Sequence, residues 1–309
     1  MRFTLMFPMR AVKHYERWRG DADLGTVARL VEDAGFDAIA MSDHPYPDKT
    51  WLAGGGHHSF DPFVSLSYMA AVTTRLRLMT YVLIGGYRSP YLAAKAIASL
   101  DTLSRGRTIV GMGAGYLKSE FDVLGADFAG RGPTLEAAVP AMRAAWAGTD
   151  HPGPRFAASG HEMLPATVQR GGPPIWIGGN SAAARRRAVE LADGWIPMGQ
   201  SAEVAEITGT PALEDVATLG VQIAEAQKRR AALGREPMDV GFAPFEQAGL
   251  VRGTMTEYAE SVRRRLDAYV EAGVTWLTVE PASRSMQDFR RDLGIVSELL
   301  LDPARGVGS

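Results

Sequence analysis

Two adjacent residues, Asp43 and His44, close the apolar run in AIAMSDHPYP (Ala38–Pro47) and offer the clearest acid–base chemistry in the chain. Imidazole ordinarily titrates near neutral pH, so a histidine here can give or take a proton, and a neighbouring carboxylate can hold its tautomer. Pro45 and Pro47 then stop any regular element from continuing. A polar turn explains the pair as readily as an active site does. The elements around it must decide.

A second set of positions offers bare backbone. GMGAGY places Gly111, Gly113 and Gly115 after a strand, with Ala114 between the last two. It lacks the final spacing and the later acidic residue of a dinucleotide fingerprint. Such glycines serve either close packing or a surface where backbone amides approach a ligand. IGGNSAAARRR sets Gly178, Gly179 and Asn180 before a helix start, where free amides bind phosphate. Ser181 there also reads as an ordinary helix cap. Arg185, Arg186 and Arg187 point three ways around that helix, so at most one serves an anion.

Other chemistries fit less well. The histidines (His14, His44, His57, His58, His151 and His161) lack metal-site spacing, so no metal is expected. No lysine ends a strand, which argues against a Schiff base. A glycosidase pair would have to be stretched from Glu120 and Glu246, neither of them directly at a strand end. The absence of cysteine removes disulfides, thiolate nucleophiles and Cys-bound metals. Aromatics at Tyr15, Trp18, Trp51, Phe60, Tyr87, Tyr116, Phe242 and Phe245 suggest together a roomy apolar mouth for a flat ring and an organic substrate.

The elements that must position these residues alternate. Strand patterns at Arg2–Phe7, Asp37–Met41, Leu76–Leu83, Thr108–Gly113, Ile175–Ile177, Gly194–Ile196, Asp239–Ala243 and Thr275–Val279 are separated by helical patterns. The helices are expected near Leu24–Ala34, Pro62–Val72, Tyr91–Leu103, Pro133–Trp146, Ala182–Leu191, Glu214–Leu233, Glu257–Ala272 and Met286–Leu301. Eight strand-then-helix units imply a closed parallel (β/α)8 TIM barrel spanning residues 1–309 as one domain. Irregular stretches near 149–172 and 197–211 read as insertion loops at the C-terminal face, the first crossing the top. Catalytic groups of such a barrel sit after the strands, which moves Asp43–His44 toward an active site.

A formal net charge of −2 and a pI near 6.3 give no basic footprint for nucleic acid. The N-terminal apolar run is too short for a signal peptide, and no stretch reaches bilayer length. The expectation is a soluble cytoplasmic protein acting on a small molecule, with no nucleic-acid or membrane partner.

LVEDAGFDAIAMSDH, TYVLIGGYRSPYLAAKAIASLDTLSRGRTIVGMGAGY and PPIWIGGNSAAARRRAVELADGWIP together resemble the bacterial luciferase-like superfamily, most closely its branch using the deazaflavin coenzyme F420. The likeness is strong from Leu30 to Arg131 and from Pro173 to Pro197. It implies a TIM barrel, an oxidoreductase transferring hydride between F420 and an organic substrate, and often a homodimer. It implies cofactor binding by Asp43, Gly113, Ala114, Gly115, Gly178, Gly179 and Asn180, and a non-proline cis peptide at a strand-three bulge, Tyr81–Val82, under the ring. By the same match His44 and Asp43 are catalytic: His44 handles the proton, and Asp43 holds the ring edge or fixes the tautomer of His44. From the aromatic cluster, Trp18, Trp51, Tyr116 and Phe245 are expected to line the substrate pocket, and Arg88 and Lys118 stand near the mouth where they could meet the acidic tail of F420. Flavin-using relatives more often place Glu before this histidine, so SDH tilts toward the deazaflavin. Sugar-phosphate dehydrogenases of this branch carry Glu directly after the strand-four Gly-x-Gly; Tyr116 stands there, which argues against glucose 6-phosphate. The alternatives are an FMN-dependent monooxygenase and a catalytically silent cofactor-binding barrel.

Overall fold

The eight apolar runs form eight strands: β1 (Arg2–Met6), β2 (Ala38–Met41), β3 (Arg77–Ile84), β4 (Thr108–Gly113), β5 (Ile175–Gly178), β6 (Gly194–Ile196), β7 (Asp239–Phe242) and β8 (Trp276–Val279). Each pairs in parallel with the next, and β8 pairs with β1, closing the barrel. This computed structural model describes residues 1–9, 24–57, 59–246 and 253–302. His14, Tyr15, Trp18 and His58 lie outside the described residues, and so does part of the segment after β7.

The long helices follow the expected pattern within a few residues: α1 (Leu24–Asp33), α3 (Pro62–Ala71), α4 (Pro90–Ser104), α6 (Arg131–Ala147), α7 (Ala182–Leu191), α9 (Val216–Ala232), α10 (Met255–Glu271) and α11 (Met286–Val296). Local chemistry sets their starts. Asp61, Ser181, Asp215 and Ser285 each accept a first-turn amide, and Thr254 with Glu257 forms a reciprocal capping box. The helix expected from Pro133 starts earlier, at Arg131, and keeps Pro140 inside it at the loss of one backbone hydrogen bond. The closing helix ends in a π turn, Ser297–Leu301.

Three short helices were not expected: α2 (Lys49–Ala53), α5 (Lys118–Val123) and α8 (Ala202–Thr208). Each follows a strand, and α2 and α5 carry side chains of the site. Among the described residues, no helix is long and apolar enough to cross a membrane.

The barrel interior is apolar toward its N-terminal end. Buried Trp176 and Trp276 meet edge to face at 5.4 Å between centroids, and the Arg2 guanidinium lies 5.2 Å over Trp276. The chemistry is therefore gathered at the other end. The segment 149–174 lies along the outside of α4 and α6, where a crossing over the mouth was expected. Gln169 bonds both carboxylate oxygens of Asp101 and the Thr108 carbonyl, the Tyr91 hydroxyl reaches the Phe156 carbonyl, and Arg155 reaches Thr134. The reason is connectivity: the segment joins a helix end to a strand start, so both its ends are at the N-terminal side of the barrel. Residues 197–211 do follow a strand end, and a bridge between Gln200 and Leu213 closes that excursion.

Candidate active site

Asp43 and His44 leave β2 at the C-terminal mouth of the barrel, and their side chains diverge. Asp43 is 2% exposed and accepts both Arg88 nitrogens, at 2.8 and 2.9 Å, together with the Ile84 amide at 3.0 Å. This bidentate pair ties the end of β2 to the end of β3. Burial alone would ease Arg88 toward deprotonation; the hydrogen bonds and charge of Asp43 outweigh it and raise the guanidinium pKa. Arg88 is thus committed to Asp43, which replaces its expected place on a cofactor tail. Lys118 likewise pairs with Asp122 one turn along α5, on the surface.

The carboxylate that meets the His44 ring is a different one from the one expected. Nδ1 of His44 lies 2.8 Å from Oε2 of Glu120, whose side chain is wholly buried. Oε1 of Glu120 accepts the Tyr46 amide at 3.0 Å, and Oε2 also accepts the Tyr87 hydroxyl at 3.1 Å. Asp43 has no share in this arrangement, because Arg88 and Ile84 already hold both its oxygens. Glu246, the other half of the stretched glycosidase pair, bonds Tyr269 and faces Arg265 instead.

Around the His44 ring stand Trp51 from α2 (4.8 Å between centroids), His57 (5.0 Å, edge on) and Tyr116 (6.3 Å, edge on). Trp51 and Tyr116 thus both stand beside His44. Phe245 does not join them: it packs on Phe242 and Tyr269. Burial, then the charge of Glu120, pushes Tyr116 up to about 12, and the same two causes raise Tyr87 further. Both phenols stay neutral donors at ordinary pH.

Backbone glycines form the neighbouring wall. The Tyr81–Val82 peptide is cis, and the β3–β4 register shifts between Thr80 and Leu83. Val82 lies between two glycines: a Cβ built on Gly113 would fall 2.8 Å from one Val82 methyl, and one on Gly178 would fall 3.2 Å from the other. Gly115 has φ +86°, which glycine adopts without strain and most side chains do not. Ala114 lies between, packed against the core. At the β5 end, the Gly179 amide is spent on the Ile196 carbonyl, and the Asn180 side chain bonds Met198 and Pro211. Asn180 therefore fixes the 197–211 excursion with its side chain. Ser181 caps only the Ala184 amide, leaving the amides of Ala182 and Ala183 open at the start of α7.

Fold and site together define a closed parallel barrel whose polar chemistry and bare backbone meet at its C-terminal mouth. A family profile described as luciferase-like monooxygenase matches residues 1–245, and the chain belongs to that family. It is 34% identical over 187 residues to an F420-dependent glucose-6-phosphate dehydrogenase of Nocardia farcinica, covering 57% of this chain and 53% of that protein. The chain spans about half the length of the curated relatives it matches. Among solved structures, monooxygenase RslO1 of Streptomyces bottropensis superposes with a TM-score of 0.77 at 19% identity, covering 98% of this chain and all of that one. The coenzyme F420-dependent tetrahydromethanopterin reductase of Methanopyrus kandleri gives 0.70 at 16% identity, covering 98% of each chain. These two likenesses show the fold.

Proposed function

We propose that this chain is an oxidoreductase that transfers hydride between coenzyme F420 and a small organic substrate, an alcohol–carbonyl pair or an activated double bond. The observation that carries it is the 34% identity to an F420-dependent dehydrogenase, in a chain that sets a carboxylate-held histidine at the barrel mouth. The site fits such a ring cofactor by its missing side chains. Gly113 and Gly178 leave Val82 uncovered where any Cβ would press on it, and the open amides of α7 suit an anionic phosphate.

In this reading Tyr81, Val82, Gly113, Ala114, Gly115, Gly178, Gly179 and Asn180 line the cofactor, Gly178 and Gly179 giving it room and the amides of Ala182 and Ala183 meeting its phosphate. When bound, the deazaflavin supplies a two-electron hydride donor or acceptor at ring carbon five. His44 exchanges the accompanying proton with the substrate oxygen or carbon. Trp51, Tyr116 and His57 surround that imidazole and exclude bulk water from it. Asp43, neutralised by Arg88, holds the strand ends on which His44 stands. Tyr116 stands where the sugar-phosphate dehydrogenases resembled here carry Glu, so the substrate is proposed as an uncharged alcohol or carbonyl rather than glucose 6-phosphate.

The test is parallel titration of the purified protein with F420 and with FMN, then reduction of each bound form. F420 should bind with micromolar or better affinity, about −8 kcal/mol, and FMN at least tenfold more weakly. Tight FMN binding with oxygen-dependent turnover and no F420 binding would replace this reading with a flavin monooxygenase.

A further inference from the structure

We infer that Glu120 is a positioning residue that keeps the hydrogen of neutral His44 on Nδ1, so that Nε2 is the nitrogen that exchanges a proton with the substrate. This rests on the reading of His44 as the acid–base group. It names the tautomer and its cause.

An ionised carboxylate can only accept hydrogen bonds, and Glu120 receives three, from His44 Nδ1, the Tyr46 amide and the Tyr87 hydroxyl. The backbone amide cannot reverse its role. With Glu120 as a carboxylate, the imidazole donates from Nδ1, which places its lone pair on Nε2. Among the described residues, the only ion-pair partner of Glu120 is His44 itself. Among those residues its charge has no fixed cation, and a proton taken up at Nε2 turns the contact into a buried imidazolium–carboxylate pair. The other polar groups facing this pair are His57, Tyr87 and Tyr116, with Asp43 and Arg88 already neutralising one another. The two phenols, held protonated by burial and by the Glu120 charge, add no competing negative charge.

For an alcohol substrate the step balances as follows. The O–H bond breaks and its proton ends on Nε2. The adjacent C–H bond breaks and its hydride, with two electrons, passes to the deazaflavin, while the C=O bond forms. In the reductive direction Nε2 returns the proton. The hydrogen on Nδ1 never leaves.

Glu120→Gln separates this role from mere packing. The amide oxygen must stay on the Tyr46 N–H, because an NH2 there would face a donor. The NH2 then faces Nδ1 and the Tyr87 hydroxyl, which can accept, so Nδ1 becomes an acceptor and the hydrogen moves to Nε2. Nitrogen-15 histidine spectra, with His44 assigned by comparison with His44→Ala, should show the Nδ1–H tautomer in the unaltered protein and the Nε2–H tautomer in Glu120→Gln. Tyr87→Phe, which keeps the carboxylate, should show Nδ1–H. With the substrate in hand, kcat of Glu120→Gln should fall by about 10²–10⁴-fold with KM within about threefold. An Nε2–H tautomer in the unaltered protein, or Nδ1–H retained in folded Glu120→Gln, overturns the inference. The spectrum of the unaltered protein decides even if the variant does not fold. If the spectra come out as expected while His44→Ala keeps full turnover, the acid–base reading fails and the tautomer assignment stands.

Discussion

Asp43 and His44 are neighbours on one loop, yet their buried partners differ in kind. Asp43 meets a permanently charged guanidinium in bidentate geometry, with a backbone amide filling its remaining reach. His44 meets a carboxylate supplied, among the described residues, only with neutral donors apart from the imidazole itself. The first pair couples a carboxylate to a guanidinium whose pKa it raises, and it serves as a clamp. The second has, among the described residues, no fixed cation. Proton exchange belongs where a buried charge lacks a fixed opposite, and the acid–base reading follows that imbalance rather than the presence of two polar residues side by side.

The comparison breaks most visibly in turnover. His44→Ala should lower kcat by about 10²–10⁴-fold while F420 affinity stays near that of the unaltered protein and stability falls by about 1–2 kcal/mol through the donor lost to Glu120; unchanged turnover would return the loop to a polar turn. Arg88→Ala should do the reverse. It leaves Asp43 buried and uncompensated, a loss of about 3 kcal/mol in chemical denaturation, with turnover of the surviving folded protein within about tenfold. If Arg88→Ala matched His44→Ala in lost activity without lost stability, the clamp and the proton carrier would have to be exchanged. Tyr87→Phe removes one of the three donors on Glu120 and should cost about 1 kcal/mol, with a smaller fall in kcat than either Glu120→Gln or His44→Ala.

The smallest effect concerns alkaline stability. Burial pushes Tyr116 up to about 12 in the folded protein, above the ordinary phenol value of 10.0. A raised folded value favours the folded state while the phenol keeps its proton. That contribution is whole below pH 10 and is lost as pH rises toward about 12. Tyr116→Phe should therefore flatten the decline of unfolding free energy between those limits, and an unchanged slope would show that Tyr116 is not a buried phenol beside Glu120.

The barrel was legible because its signals repeat. Eight strand patterns and eight helical patterns, with Asp, Ser or Thr at helix starts, leave few ways to arrange the chain, and Asp43–His44 could be placed at a strand end without coordinates. The partners were harder to read. Arg88 and Lys118 looked alike as cations near the mouth, and only the fold separates a buried clamp from a surface i,i+4 pair. Trp51 and Glu120 ride on α2 and α5, helices of five and six residues, too short for a 3.6-residue period to emerge. One signal for Glu120 did exist. Leu117, Glu120 and Phe121 share a helical face, which sets a carboxylate on the side that Phe121 buries. A charged residue on an apolar face needs a buried partner, and the imidazole at the end of β2 is that partner.

The contacts of Val82 reach beyond this one protein to the way its sequence can vary. A branched side chain has little freedom to turn aside, and its two methyls occupy the space that a side chain at position 113 or 178 would need. Residues from three different strands thus behave as a single heritable unit. Variants that enlarge position 113 should be rescued by a smaller residue at 82, and libraries that randomise position 113 alone should return mostly glycine.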